Sequence, residues 1–117
     1  MPPALDSEPA GKQTITSVRL ESAAGASFRI GTGTSTIGRA QNADVLINKP
    51  HISRIHAMLE VTRDEVTLKD GGSENGTEVN GARVASTRIL SSGDRIGFAG
   101  EIFQIEIVRW KGPGGNE

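Results

Sequence analysis

Two arginines, a serine, two histidines and an asparagine are the residues whose types could do chemistry here. They fall in three short segments: Thr36-Ile37-Gly38-Arg39, then His51-Ile52-Ser53-Arg54-Ile55-His56, then Ser73-Glu74-Asn75-Gly76-Thr77 followed by Asn80-Gly81. Gathered in one place, they meet the demands of a dianionic phosphate on an extended peptide. An arginine offers a planar fork for two phosphate oxygens, a serine donates an O–H, and loop N–H groups complete a cradle. An asparagine carries both a donor and an acceptor and can hold a peptide backbone.

Other chemistries fit these residues poorly. Ser53 and His56 are three apart, so on one strand they would point to opposite faces, and no third partner for a nucleophile and base is evident. His51 and His56 are the only imidazoles and have no acid nearby at metal-ligand spacing. The stretch from Asp70 to Gly76 faintly resembles a calcium loop, but the twelfth position, where a glutamate is needed, is Gly81. Gly31-Thr32-Gly33 lacks the third glycine of a dinucleotide fingerprint, and no phosphate loop ending in Gly-Lys-Ser/Thr is present.

The elements that must position these residues read as strands. Val18 and Leu20 alternate, Ser27–Ile30 follows a turn at Ala24-Gly25, and Thr34–Gly38 and Val45–Ile47 are short β-branched or apolar runs. Ile55, Ala57, Leu59 and Val61 make the cleanest period-two face, and Val66 and Leu68 continue the pattern after a turn at Arg63-Asp64. Asn80-Gly81 lies between Val79 and Val84 as a tight hairpin turn. Ser91–Asp94 turns into Ile96 and Phe98. The last strand places Phe103, Ile105 and Ile107 on one face, with Ile102, Val108 and Trp110 on the other. No stretch keeps a helical period for three turns. Short strands with frequent turn signals predict an antiparallel β-sandwich whose loops gather the three polar segments at one end.

At this point the chain resembles the forkhead-associated (FHA) domain. Gly38-Arg39 is followed fourteen residues later by Ser53-Arg54-Ile55-His56, then by Ser73 through Gly81, and finally by the Leu90-Ser91-Ser92-Gly93-Asp94 turn. The resemblance spans about Thr14 to Val108. It implies an all-β, FHA/SMAD-like antiparallel sandwich of about eleven short strands that binds phosphothreonine peptides without catalysis. By resemblance, Arg39 and Ser53 hold phosphate oxygens and Arg54 touches the same group. Asn75 holds the peptide backbone just after the phosphothreonine. Glu74, Thr77 and His51 are further candidates for peptide contact, with the Glu74 carboxylate directed to solvent so that it does not repel the ligand. His56 braces the loops from beneath, Gly38 and Gly76 are backbone-permissive positions, and Asn80 has a structural role.

Composition narrows the function classes. The chain has 117 residues, the length of a single domain, and 13 Lys+Arg against 14 Asp+Glu leave a net charge of −1. That balance supplies no broad basic surface for nucleic acid. Cysteine is absent, which removes disulfides and thiolate chemistry, and no apolar run approaches the length of a membrane helix. The expected protein is a cytoplasmic domain at 14–110, monomeric in isolation, between flexible tails at 1–13 and 111–117. It needs no cofactor or metal. Its partners would be a phosphothreonine-containing protein and an upstream Ser/Thr kinase, with neither nucleic acid binding nor membrane insertion. The competing expectation is a phosphate-independent assembly module of the same fold.

Overall fold

A computed structural model describes residues 14–110; the tails expected at 1–13 and 111–117 lie outside the described residues. Eleven strands run along this stretch: β1 (Thr14–Ser22), β2 (Ser27–Ile30), β3 (Gly33–Gly38), β4 (Val45–Leu46), β5 (Ala57–Val61), β6 (Val66–Asp70), β7 (Thr77–Val79), β8 (Ala82–Arg83), β9 (Thr87–Ile89), β10 (Arg95–Phe98) and β11 (Glu101–Trp110). They form a six-stranded sheet in the order β2-β1-β11-β10-β7-β8 and a five-stranded sheet in the order β4-β3-β5-β6-β9. The expected antiparallel sandwich is therefore present, with one parallel pair, β3 with β4.

Period-two patterning explains why the two sheets share a core. Val18 and Leu20 of β1 and Phe103, Ile105 and Ile107 of β11 are buried from one side. Leu59 and Val61 of β5 and Val66 and Leu68 of β6 are buried from the other. Phe98 sits fully buried near the loop end, edge-on to Phe103 at 5.5 Å and to His56 at 5.9 Å between ring centres. Outward-facing Ile102, Val108 and Trp110 of β11 are exposed, as the alternation requires.

Strand register brings the polar segments together. Ile37 pairs with Ala57, and Ala57 pairs with Asp70, so β3 ends, β5 begins and β6 ends at one edge of the five-stranded sheet. Phe98 pairs with Thr77 and with Glu101, which puts the start of β7 and the β10–β11 turn at an edge of the six-stranded sheet. A hydrogen bond from the Ala99 N–H to the Gly76 carbonyl (3.1 Å) and one from the Gly71 N–H to the His56 carbonyl (2.9 Å) stitch these ends.

One strand expectation changes, and one strand was not expected. Ile55 is half exposed and lies outside β5, which starts at Ala57. Residues 51–56 form a loop instead, because their carbonyls serve β3 and the turn after it: Ser53 and Arg54 accept from the N–H groups of Arg39 and Ala40. β9 carries no periodic signal, since Thr87, Arg88 and Ile89 are all exposed on an edge strand paired only with β6. The hairpin turn stands as read: Asn80 and Gly81 both have positive φ, 52° and 87°.

Gly38, read from the sequence as a backbone-permissive position, is required for a different reason. Its φ is not in the left-handed region. A Cβ there would lie 2.1 Å from the Arg54 carbonyl oxygen and 2.9 Å from that of Ser53. Only a bare Cα lets the two loops approach. Gly38→Ala is expected to destabilise the domain by about 1–3 kcal/mol, the usual range for overpacking, since backbone and not a yielding side chain is in the way. Urea denaturation checks this; an unchanged midpoint would overturn it.

Candidate functional site

The three segments converge as loops at this end of the sandwich. Arg39 follows the last residue of β3. Its backbone N–H donates to the Ser53 carbonyl (3.0 Å) and its Nε to the Ile52 carbonyl (3.0 Å). The second bond aims the side chain, while the terminal guanidinium nitrogens make no hydrogen bond or ion pair among the described residues. Ser53 Oγ accepts from the Glu74 N–H at 3.0 Å, so its hydroxyl proton is left to donate elsewhere. Arg54 is exposed, and its side chain likewise has no partner among the described residues. Two guanidinium groups and one hydroxyl are thus presented on a single surface, with Glu74 itself exposed beside them.

Asn75 Nδ2 donates to the His51 carbonyl at 2.8 Å, which fixes the amide and leaves Oδ1 as a free acceptor. The imidazole of His51 turns to Glu101, with Nε2 2.8 Å from Oε2, and Lys49 Nζ lies 3.7 Å from the other carboxylate oxygen. His51 was a candidate for peptide contact through its ring; its observed link to Asn75 is through the main chain. Thr77 requires a correction. It is fully buried in β7 because alternation turns Thr77 and Val79 inward and Glu78 outward, so it offers no peptide contact.

Beneath the loops lies His56, fully buried. Its Nδ1 receives the Ser53 N–H at 3.2 Å, and its Nε2 is 2.8 Å from the Gly76 carbonyl. An amide N–H can only donate and a carbonyl can only accept, so the ring is the Nε2–H tautomer. With both nitrogens occupied by backbone, His56 cannot serve Ser53 as a base. Gly76, at φ 90°, takes the left-handed conformation expected of it. Asn80 bridges two turns: its Nδ2 donates to Asp94 Oδ1 and its Oδ1 accepts the Arg95 N–H, both at 3.0 Å.

Asp70 went unrecognised in the sequence because its Asp-Gly-Gly-Ser setting looks like a degenerate calcium loop. It is an Asx turn: Oδ1 accepts the N–H groups of Gly72 (2.7 Å) and Ser73 (2.8 Å), and Oδ2 accepts the Ser73 hydroxyl (2.8 Å). Ser73 Oγ in turn accepts the Gly76 N–H at 3.0 Å. Thr77 Oγ1 stands close by without completing a hydrogen bond, so it acts on the carboxylate as a dipole. Partial burial pushes the Asp70 carboxyl up, but the Ser73 N–H, the two hydroxyls and the Gly72 N–H together outweigh it and hold it below its ordinary value of 3.8. Glu101 and Arg83 also belong to this end and to no motif. The clefts on the six-stranded sheet lined by Arg95 and Ile102 include none of Arg39, Ser53, Arg54 and Asn75, although one of them reaches the Asn80-Gly81 turn.

A depressed carboxyl favours the folded state wherever it is ionised. The contribution of Asp70 is therefore complete above about pH 3.8 and is lost as the pH falls through its lower folded value. Asp70→Asn should be less stable than the wild type at neutral pH, with the gap closing on acidification through that range. Urea titrations along a pH series test this, and a gap that stays constant with pH would refute it.

Comparison with known proteins agrees with this geometry. The family model described as the FHA domain matches residues 35–99. An oxoglutarate dehydrogenase inhibitor of Corynebacterium efficiens is 32% identical over 108 residues, covering 92% of this chain and 72% of the relative. A structure solved for phosphothreonine-dependent FHA domain interactions superposes with a TM-score of 0.74 at 30% identity, covering 78% of this chain and 96% of that one. Mycobacterium tuberculosis EmbR, solved in complex with a low-affinity phosphopeptide, superposes at 0.75 with 27% identity, covering 92% of this chain but 28% of its own. With the family model matched over more than half of its length and a relative 32% identical across most of both chains, this chain belongs to the FHA domain family.

Proposed function

We propose that this domain is a non-catalytic module that binds phosphothreonine in partner proteins and reads out a Ser/Thr kinase. The observation that carries the proposal is the division within each polar residue. Arg39 Nε, Ser53 Oγ as acceptor and Asn75 Nδ2 are tied to the protein, while the remaining guanidinium nitrogens, the hydroxyl proton and Oδ1 are free among the described residues. Such groups are preorganised for a ligand, so little freedom is lost on binding. Arg39 and Ser53 take the phosphate, Arg54 adds a second cation, and Asn75 Oδ1 accepts an N–H of the peptide after the phosphothreonine. Glu74 lends a backbone N–H to the cradle's frame and keeps its carboxylate in solvent.

The partner is a phosphothreonine-containing protein downstream of a Ser/Thr kinase, met in the cytoplasm by a domain that is monomeric when taken in isolation. A net charge of −1 favours neither nucleic acid nor an anionic membrane surface. No helix among the described residues is long and apolar enough to cross a membrane. A phosphate-independent assembly module of the same fold would have no use for the unpartnered cations of Arg39 and Arg54, and it would bind phosphorylated and unphosphorylated partners alike.

Titration calorimetry with matched phosphothreonine, phosphoserine and unmodified peptides, drawn from a phosphopeptide library, tests this reading. The phosphothreonine form alone should bind well. Arg39→Ala should lose about 2–5 kcal/mol, enough to erase a micromolar site, and Arg39→Lys should recover only part because an ammonium cannot form the fork. Equal binding of phosphorylated and unmodified peptides, or unchanged affinity in Arg39→Ala, would overturn the assignment.

Phosphoserine should bind at least about tenfold more weakly, a gap of about 1.4 kcal/mol. Burying the extra methyl group supplies about 0.8 kcal/mol. The stiffer χ1 of the β-branched residue, which leaves less rotamer freedom to lose, supplies the remainder. Equal dissociation constants for the two peptides would refute methyl recognition while leaving phosphate binding standing.

A further inference from the structure

Two consecutive carbonyls hold Arg39 and Asn75 from behind. The His51 carbonyl accepts Asn75 Nδ2 at 2.8 Å, and the Ile52 carbonyl accepts Arg39 Nε at 3.0 Å. Both carbonyls belong to the turn Lys49-Pro50-His51-Ile52, which the Ile52 N–H closes onto the Lys49 carbonyl at 3.1 Å. Proline suits the second place of such a turn, and the buried Ile52 side chain fixes its last residue. A peptide unit is planar, so its carbonyl and N–H can only tilt together. Tilting the unit between His51 and Ile52 therefore moves the seat of Asn75, and the next unit along carries Arg39.

One carboxylate fastens this turn to the other sheet. Glu101 Oε2 lies 2.8 Å from His51 Nε2 and Oε1 lies 3.7 Å from Lys49 Nζ, so the first and third residues of the turn each meet one oxygen. Glu101 is set in turn by the two-residue bend between β10 and β11. Ala99 and Gly100 both lie in the left-handed region, at φ 51° and 91°, and the Ala99 N–H is tied to the Gly76 carbonyl. We propose, resting on the phosphothreonine reading above, that Glu101 is a positioning residue for phosphopeptide binding. Through Lys49 and His51 it fixes the 49–52 turn, and through that turn it aims both Arg39 and Asn75, without touching the ligand. The sign of its effect follows. A carboxylate that acted only through its charge would repel a phosphate, so its removal would tighten binding. A carboxylate that aims two ligand-binding side chains does the reverse, because the freedom gained on its loss must be given up again when the peptide docks.

Titration calorimetry tests this with the phosphothreonine peptide that wild type selects from a phosphopeptide library, well below the melting temperature of every variant. Glu101→Ala should bind about three- to tenfold more weakly, the scale of one hydrogen bond. Glu101→Gln keeps an acceptor for the His51 ring and should recover part of the loss. In a background of Lys49→Ala with His51→Ala, the same Glu101→Ala change should lose most of its effect. Nitrogen-15 spectra of the free protein give a second readout. The Arg39 Nε–H and Asn75 Nδ2 signals should move in Glu101→Ala, while the His56 Nε2–H signal, held by Gly76, stays in place. A merely structural role would lower the melting temperature and leave the affinity and these two signals where they were. Tighter or unchanged binding, an effect undiminished in the double-substituted background, or unmoved Arg39 and Asn75 signals would each overturn the proposal. Failure of the folded wild type to select any phosphothreonine peptide would instead overturn the phosphothreonine reading, and this proposal with it.

Discussion

The buried imidazole of His56 holds the binding end of this domain together. It receives a hydrogen bond from Ser53 and gives one to Gly76, and its own backbone N–H and carbonyl pair with Ile37 and Gly71. One residue therefore ties the end of β3, the loop before β5, the segment after β6 and the loop before β7, bridging the two sheets. Phe98 closes the space beneath it edge-on. A fully buried ring leaves polar atoms unsatisfied, at about 1–3 kcal/mol each, unless both nitrogens find partners, so the two loops can approach only in the register that supplies them. The placement of Ser53 and of the Ser73–Gly76 loop follows from that demand.

Around this anchor the polar residues share work between holding and presenting. Arg39 spends Nε on a carbonyl and Asn75 spends Nδ2 on another, and each keeps a second group for the surface. Ser53 accepts inward through Oγ and retains its proton. Side chains long enough to sample many rotamers are thereby reduced to few before any ligand arrives, which lowers the entropy cost of binding. Asp70 does the same for the backbone, folding Gly72 and Ser73 about its carboxylate so that Ser73 can in turn hold Gly76.

A third support comes from the β10–β11 turn, which lies outside the motif. Ala99, at φ 51°, donates its N–H to Gly76, and Glu101 two residues later holds His51 and lies near Lys49. The loop carrying Ser53 and the loop carrying Asn75 are thus both fastened to one turn of the six-stranded sheet. Arg83 adds a cation from the neighbouring hairpin, its guanidinium filling the space that a side chain on Gly76 would need.

The sequence by itself determined the strands and most of the motif. Alternation over Val18 and Leu20, Ala57 to Val61 and Phe103 to Ile107 reports directly which face is buried, and Asn80-Gly81 specifies its hairpin turn, because both signals are local. Tertiary structure decided the rest. Ile55 continues an alternating pattern yet lies exposed, since its neighbours' carbonyls are drawn to Arg39 and Ala40. Thr77 reads as part of a polar loop yet is buried with its strand, and Gly38 answers to the closeness of Arg54 rather than to its own φ. His56 with Gly76, 20 residues apart, and His51 with Glu101, 50 apart, are joined only because two sheets stack and bring their ends together. Local periodicity tells each residue which side of its own strand it faces. It carries no information about which distant loop lies above it, and that neighbour decides whether an arginine, a histidine or a glycine is structural or free to bind.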